Sequence, residues 1–308
     1  MGKTMEIQAT HAYKEKKEKN SVLGSIAGGA VGITSSNFLK RTGAGAFTKK
    51  FIKETELTEE SAKLVQKGVQ DAFEKSGIKE KGFQIKLANK ENADDIAREL
   101  ADETLDYLKK FIKPKNIENS KFSAELMLSS MVDMVADGKN AFCMSKFKKI
   151  VLPDGKLTTA GFHEIGHAMN SMSKLGKLAQ GPLRLIGMIA PIGITLFGAF
   201  TKNKKAEEGK ELTKGQKASN FVRNNAGKLS FLAMTPMLIE EGIASIRGGK
   251  LAKQVLSPKL AKKVSRTNKF AWCTYLCAAM AAGIGSFLAV KIKDKIQEKK
   301  NQKAQLNT

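Results

Sequence analysis

The apolar positions follow a two-residue period in some stretches and a helical period in others, and from 54 to 150 the two mix as in a soluble fold. "LTEESAKLVQKGVQDAFEKSG" has helical spacing, with Thr58 as N-cap, acids in the first turn and a stop at Gly77. "GFQIKLAN" alternates and predicts a short strand. "NADDIARELADETLDYLKKFIKP" predicts an amphipathic helix closed by Pro114, and a further helix runs through "SAELMLSSMVDMV". "GKNAFCMSKFKKIVLPDGK" then reads as two short strands around a basic turn, ended by the Asp154–Gly155 turn, with a helix beginning near Thr159.

Elsewhere the pattern is longer and more uniformly apolar. Residues 1–20 are polar and basic and are expected to be mobile. The segment from Ser21 to Leu39 is uncharged, with Gly24, Gly28 and Gly32 four apart, as in a membrane-associated helix that lets another backbone come close. "LRLIGMIAPIGITLFGAF" (183–200), interrupted by Pro191, "LSFLAMTPMLIEEGIASI" (229–246) and "AWCTYLCAAMAAGIGSFLAV" (271–290) are candidate membrane segments. A buried core helix is the alternative for each; together they favour an integral or deeply embedded membrane protein. The expected fold is mainly α with a small β-sheet (α+β), carrying two to four hydrophobic membrane-associated helices. Its segments are a basic tail and glycine-rich stretch (1–53), a soluble part (54–181), a hydrophobic helical hairpin (182–247), and a basic segment with a transmembrane helix and lysine-rich tail (248–308).

Charge sharpens this picture. Lys and Arg number 53 against 30 Asp and Glu, a formal net charge of +23 that suits an anionic partner. Aromatic residues are only 6% and no nucleic-acid motif is present, so anionic membrane lipid is expected and nucleic acid is not. Lysines crowd the loop 202–217, the segment 250–269 and the tail 291–303 alike, so the positive-inside rule chooses no side. A hairpin dipping into one leaflet would leave both flanks in the cytosol, and a cytosol-facing site is expected. Cys143, Cys273 and Cys277 are an odd count without metal-site spacing, which argues against a disulfide framework.

The chemistry concentrates in "GFHEIGHAMN", residues 161–170, where His163, Glu164 and His167 spell H-E-x-x-H. On a helix, positions four apart share one face, so both imidazoles can converge on one ion. Glu164 lies roughly 100° further round, where its carboxylate can exchange protons with an attacking water. The pattern points to a zinc ion that polarises a peptide carbonyl. Gly166 costs helix stability, about 1 kcal/mol relative to alanine, and therefore points to a closely packed neighbour. The only other histidine, His11, precedes the motif, so a third ligand should be a downstream carboxylate: Glu207, Glu208, Glu211, Glu240 or Glu241. The first three sit in a charged loop and are expected to be solvated. Glu240 and Glu241 interrupt an apolar helix, where an unpaired carboxylate is costly and a cation would relieve it.

"EGIASIR", Glu241 to Arg247, resembles the E-x-x-A-(D/S) motif of HtpX-like and CAAX-prenyl-endopeptidase-like membrane zinc metallopeptidases, and the similar E-F-D-A-S-R stretch of YugP-like zinc peptidases. "GKNAFC" resembles the N-A-F segment ahead of the active helix in the HtpX-like group. The resemblance covers about 55–255. It implies a zincin-like core of the gluzincin type, with Glu241 as third ligand beside His163 and His167 and with Glu164 as general base. It implies that Asn140, Ala141 and Phe142 bind extended peptide by β-augmentation. Ser245 stands in the position after the motif alanine, and Ser245 and Arg247 are expected to support the site. The function so implied is a membrane-associated zinc metalloendopeptidase acting on peptide or protein. The alternative is a non-catalytic, lysine-rich membrane scaffold with a structural or vestigial metal site.

Overall fold

A computed structural model describes residues 2–111, 113, 116–155, 159–204, 206 and 211–306. Pro114, Glu207 and Glu208 lie outside these described residues. The chain is mostly helical: α1 Gly2–Thr55, α2 Glu59–Lys75, α3 Ala93–Leu108, α4 Ile117–Ala136, α5 Ala160–Ser171, α6 Lys174–Gln180, α7 Pro182–Phe200, α8 Lys214–Asn224, α9 Ala226–Ala233, α10 Thr235–Val255 and α11 Pro258–Gln305. Three strands, β1 Gln84–Ala88, β2 Phe142–Met144 and β3 Lys149–Pro153, form one sheet in the order β1-β3-β2. The chain forms two compact units, one of Met1–Gly45, Pro182–Met237 and Thr274–Thr308, the other of Ala46–Gly181 and Leu238–Cys273. Each is assembled from separated stretches of the chain.

The unit holding the sheet is built on β3. It pairs parallel to β1, with Ile85 opposite Ile150, and antiparallel to β2, with Cys143 opposite Ile150. Strand alternation sends Ile150 and Leu152 to one face, where they pack with Val65, Val69 and Phe73 of α2 and Phe162 and Ile165 of α5. Val151 goes to the other face, with Ile96 and Leu100 of α3 and Leu128 and Val132 of α4. Lys149 shares that face and, although buried, bonds Glu99 at 3.0 Å and Gln84 at 2.9 Å. Its charge is therefore paired, as burial requires. Thr58 caps α2 by accepting from the Ser61 amide, and Gly77 ends that turn at φ 69°. The amphipathic helix α3 stops at Leu108, earlier than the sequence suggests.

The other unit takes in α7, α8 and α9 with parts of α1, α10 and α11. Three helical stretches, Lys174–Phe200, Ala226–Val255 and Pro258–Gln302, are long and apolar enough to cross a membrane. The glycine-rich segment 21–39 is not among them; it lies within α1, as do residues 2–20, expected as a mobile tail. Gly28 and Gly32 of α1 nonetheless meet α11 closely: a Cβ on Gly32 would stand 2.8 Å from the Gly285 carbonyl oxygen. In the same unit Thr195, Ser230 and Ser286 form a buried hydroxyl chain linking α7, α9 and α11, with Ser286 at 2.6 Å from each of the other two. Such bonds join helices where apolar surface supplies little net attraction in lipid. Pro191 sits inside α7 without ending it.

Candidate metal centre

Helix α5 carries the H-E-x-x-H stretch and is buried almost throughout, including His163, Glu164 and His167. Polar groups tolerate such burial only with partners or a bound cation. The close neighbour is α10. A Cβ on Gly166 would stand 2.2 Å from the Ala244 carbonyl oxygen. A Cβ on Gly248 would stand 2.3 Å from the Phe162 carbonyl oxygen. Two glycines, one on each helix, thus let the backbones meet without intervening side chains. This approach brings the Glu241 side chain, fully buried, to both rings.

Three donor atoms converge. His163 Nε2 and His167 Nε2 are 3.0 Å apart, and Glu241 Oε2 lies 3.2 Å from the first and 3.4 Å from the second. The rings are nearly perpendicular, at 85°. The opposite ring nitrogens are engaged elsewhere. His167 Nδ1 lies 2.8 Å from Glu240 Oε1, so it carries a hydrogen and donates it there. His163 Nδ1 lies 3.3 Å from Ser245 Oγ, whose own hydroxyl donates to the Asn268 carbonyl at 3.4 Å, so this Nδ1 donates as well. These assignments follow from the hydrogen-bond network. In the neutral rings both Nε2 atoms then present lone pairs toward a carboxylate oxygen, while a protonated His167 donates from Nε2 to Glu241. Three electron-rich atoms at 3.0–3.4 Å are close enough for one cation, a proton or a metal, to bridge them. Ligands at ~2.0–2.1 Å from a tetrahedral ion stand roughly 3.3–3.4 Å apart. The two edges to Glu241, 3.2 and 3.4 Å, are near that spacing, and the edge between the rings, 3.0 Å, is shorter.

Glu240 is tied down by more than His167. Its Oε1 also accepts from Asn170 Nδ2 at 3.0 Å and Gln180 Nε2 at 2.6 Å. Gln180 donates to the His167 carbonyl too, at 2.8 Å. Burial alone would lower the His167 pKa, but its hydrogen bonds to Glu240 and Glu241 outweigh that and hold it well above the ordinary value. Glu164 completes the cluster: a carboxylate oxygen of Glu164 and a nitrogen of each histidine lie within 4.8 Å of one another. Burial pushes the Cys143 thiol up, away from thiolate chemistry.

Of the other residues singled out from sequence, Phe142 lies on β2, and Asn140 and Ala141 lead into it. β2 is an edge strand, with no partner on its outer side among the described residues. Ala141 and Cys143 pack on the face that carries α5, and Phe142 on the opposite face. Ser245 supports His163. Arg247 makes no hydrogen bond or ion pair to these side chains, and Glu211 pairs with Lys217 at 2.9 Å. Sequence reading missed Asn170, Gln180, Asn268 and Gly248. Asn170 had a signal, since it sits three residues after His167 on the same helical face. Gln180 had none, because its contact comes from the turn of the chain after α5.

No protein-family model, curated protein or solved structure matches this chain.

Proposed function

We propose that the chain is a membrane-associated zinc endopeptidase in which His163, His167 and Glu241 hold the ion and Glu164 moves the proton. The observation that carries this reading is the 3.0, 3.2 and 3.4 Å triangle of two Nε2 atoms and a carboxylate oxygen, with both outer ring nitrogens occupied by hydrogen bonds. A zinc ion bound there supplies Lewis-acid polarisation of the scissile carbonyl and acidification of the attacking water. Glu164 accepts the proton that water loses as its oxygen bonds the carbonyl carbon. It delivers that proton to the amide nitrogen as the C–N bond breaks, and so returns to its starting state. Extended peptide aligns along the open edge of β2, beside α5, through main-chain hydrogen bonds. The motif order, N-A-F, H-E-x-G-H and then E-x-x-A-S, and the three apolar helices support a membrane zincin of the gluzincin type.

The test is metal content and proteolysis of detergent-purified protein. Wild type should hold about one zinc per chain in keeping with this ligand set. His163→Ala and Glu241→Gln should lose it, while Glu164→Gln should keep it and lose cleavage of an unfolded protein substrate by about 10²–10⁴-fold. Full zinc occupancy in Glu241→Gln, or full cleavage by Glu164→Gln, would overturn the assignment. Zinc without cleavage in wild type would favour the scaffold reading, for which the net charge of +23 speaks.

A further inference from the structure

A second feature lies on the other side of α10. A groove of about 670 Å³ runs between α10 and the start of α11. Its α10 wall is one helical stripe: Ile239, Ile243 and Ile246, then Lys250 and Lys253. The spacings of four, three, four and three keep all five on one face. The three isoleucines are exposed by 57%, 40% and 59%, too much apolar surface in a row for water on a helix of membrane-spanning character. The facing wall carries Lys269 and Trp272, with the indole Nε1 donating to the Leu238 carbonyl at 2.9 Å. None of the three lysines meets a carboxylate among the described residues, and no acidic side chain lines the groove. Apolar at one end, cationic at the other, the stripe from Ile239 to Lys253 is roughly 21 Å long at ~1.5 Å per residue.

We infer that this groove binds one anionic phospholipid of the surrounding bilayer, its acyl chain along Ile239, Ile243 and Ile246 and its phosphate against Lys250, Lys253 and Lys269. A lipid matches on all counts. The apolar floor belongs to a helix long and apolar enough to cross a membrane, and three unneutralised ammonium groups at its polar end select a net negative headgroup over a zwitterionic one. The inference needs the chain to be embedded in lipid and does not need the zinc chemistry. The floor also includes Ser245 and Asn268, which hold His163, so the occupant would sit one side chain from the metal cluster.

Trp272 is the only tryptophan in the chain and lines the groove, so its fluorescence reports the occupant. Full-length protein is reconstituted in phosphatidylcholine vesicles containing a small fraction of lipid brominated on its acyl chains. At equal mole fraction, brominated phosphatidylglycerol should quench Trp272 several-fold more strongly than brominated phosphatidylcholine. Lys250→Gln/Lys253→Gln/Lys269→Gln should erase the difference, and the arginine versions should keep it. His163→Ala should keep it too, which separates this test from that of the zinc site. Glycerol phosphate at millimolar concentration should leave the preference intact, since a free headgroup lacks the chain that the isoleucines hold. Equal quenching by the two lipids in wild type would overturn the inference. So would loss of the anionic-lipid preference on adding a soluble acidic peptide, which would assign the groove to peptide.

Discussion

A histidine offers one ring nitrogen to a cation while the other keeps its proton, and at His167 the reason is Glu240, 2.8 Å from Nδ1. Glu240 and Glu241 are adjacent, yet one stands behind a ring and the other between two rings. Adjacent helical residues point roughly 100° apart, so a single helix can supply both positions. Glu240 is a positioning residue, held by Asn170 and Gln180 as firmly as it holds His167. Glu240→Ala should therefore weaken zinc affinity by about 10–100-fold in a chelator competition without abolishing stoichiometric binding at saturating zinc. Glu240→Gln keeps an acceptor oxygen and should recover part of the loss. A purely packing role would let the isosteric Glu240→Gln recover all of the loss. Sequence narrowed the ligand to this pair, because only these acids lie in an apolar helix. Spacing alone did not separate their roles, since that depends on the rotation of α10 about its own axis; only the resemblance of EGIASIR to the E-x-x-A-(D/S) motif pointed to Glu241.

That rotation and the distance between helices are set at the scale of elements. Gly166 faces Ala244 and Gly248 faces Phe162, each with room for hydrogen only. Gly166→Ala or Gly248→Ala would gain about 1 kcal/mol of helix propensity and lose about 1–3 kcal/mol to overpacking. Both should lower the thermal midpoint and reduce bound zinc, because Glu241 retreats with its helix. Gly193→Ala in α7, where nothing lies within 4 Å, is the matched control and should leave zinc unchanged. Most elements were legible because their periods are clear: α2 with its cap, the alternating β1, and the two strands about the basic turn. The parallel pairing of β1 with β3 was not, since it is made across the α3–α4 pair by residues 65 positions apart, such as Gln84 and Lys149. Nor was the continuity of α1, whose charged first third has no apolar face to announce it.

At the scale of the molecule, the apolar stretches read from sequence as pieces of 18 to 20 residues belong to longer helices. Lys174–Phe200 takes in α6, and Pro258–Gln302 takes in basic flanks at both ends. Long helices with charged ends fit a bilayer with its headgroup layers better than short apolar cores do. The chain should stay in the membrane pellet through alkaline carbonate and high salt and leave it only with detergent. Release by salt alone would reduce it to a peripheral protein held by its charge of +23. Glycine pairs at Gly32 and Gly285, and the hydroxyl chain through Ser286, give the apolar unit its own cohesion where burial from water counts for little.

The triangle of His163, His167 and Glu241 has a bearing on storage and assay. With the proposed zinc bound, hydrogen ions would compete with it for the same three atoms, and the carboxylates that raise the His167 pKa would favour the proton as the medium is acidified. Mild acid should thus strip the centre by exchange, with the helices still in place, and neutralisation with fresh ion should refill it without any refolding.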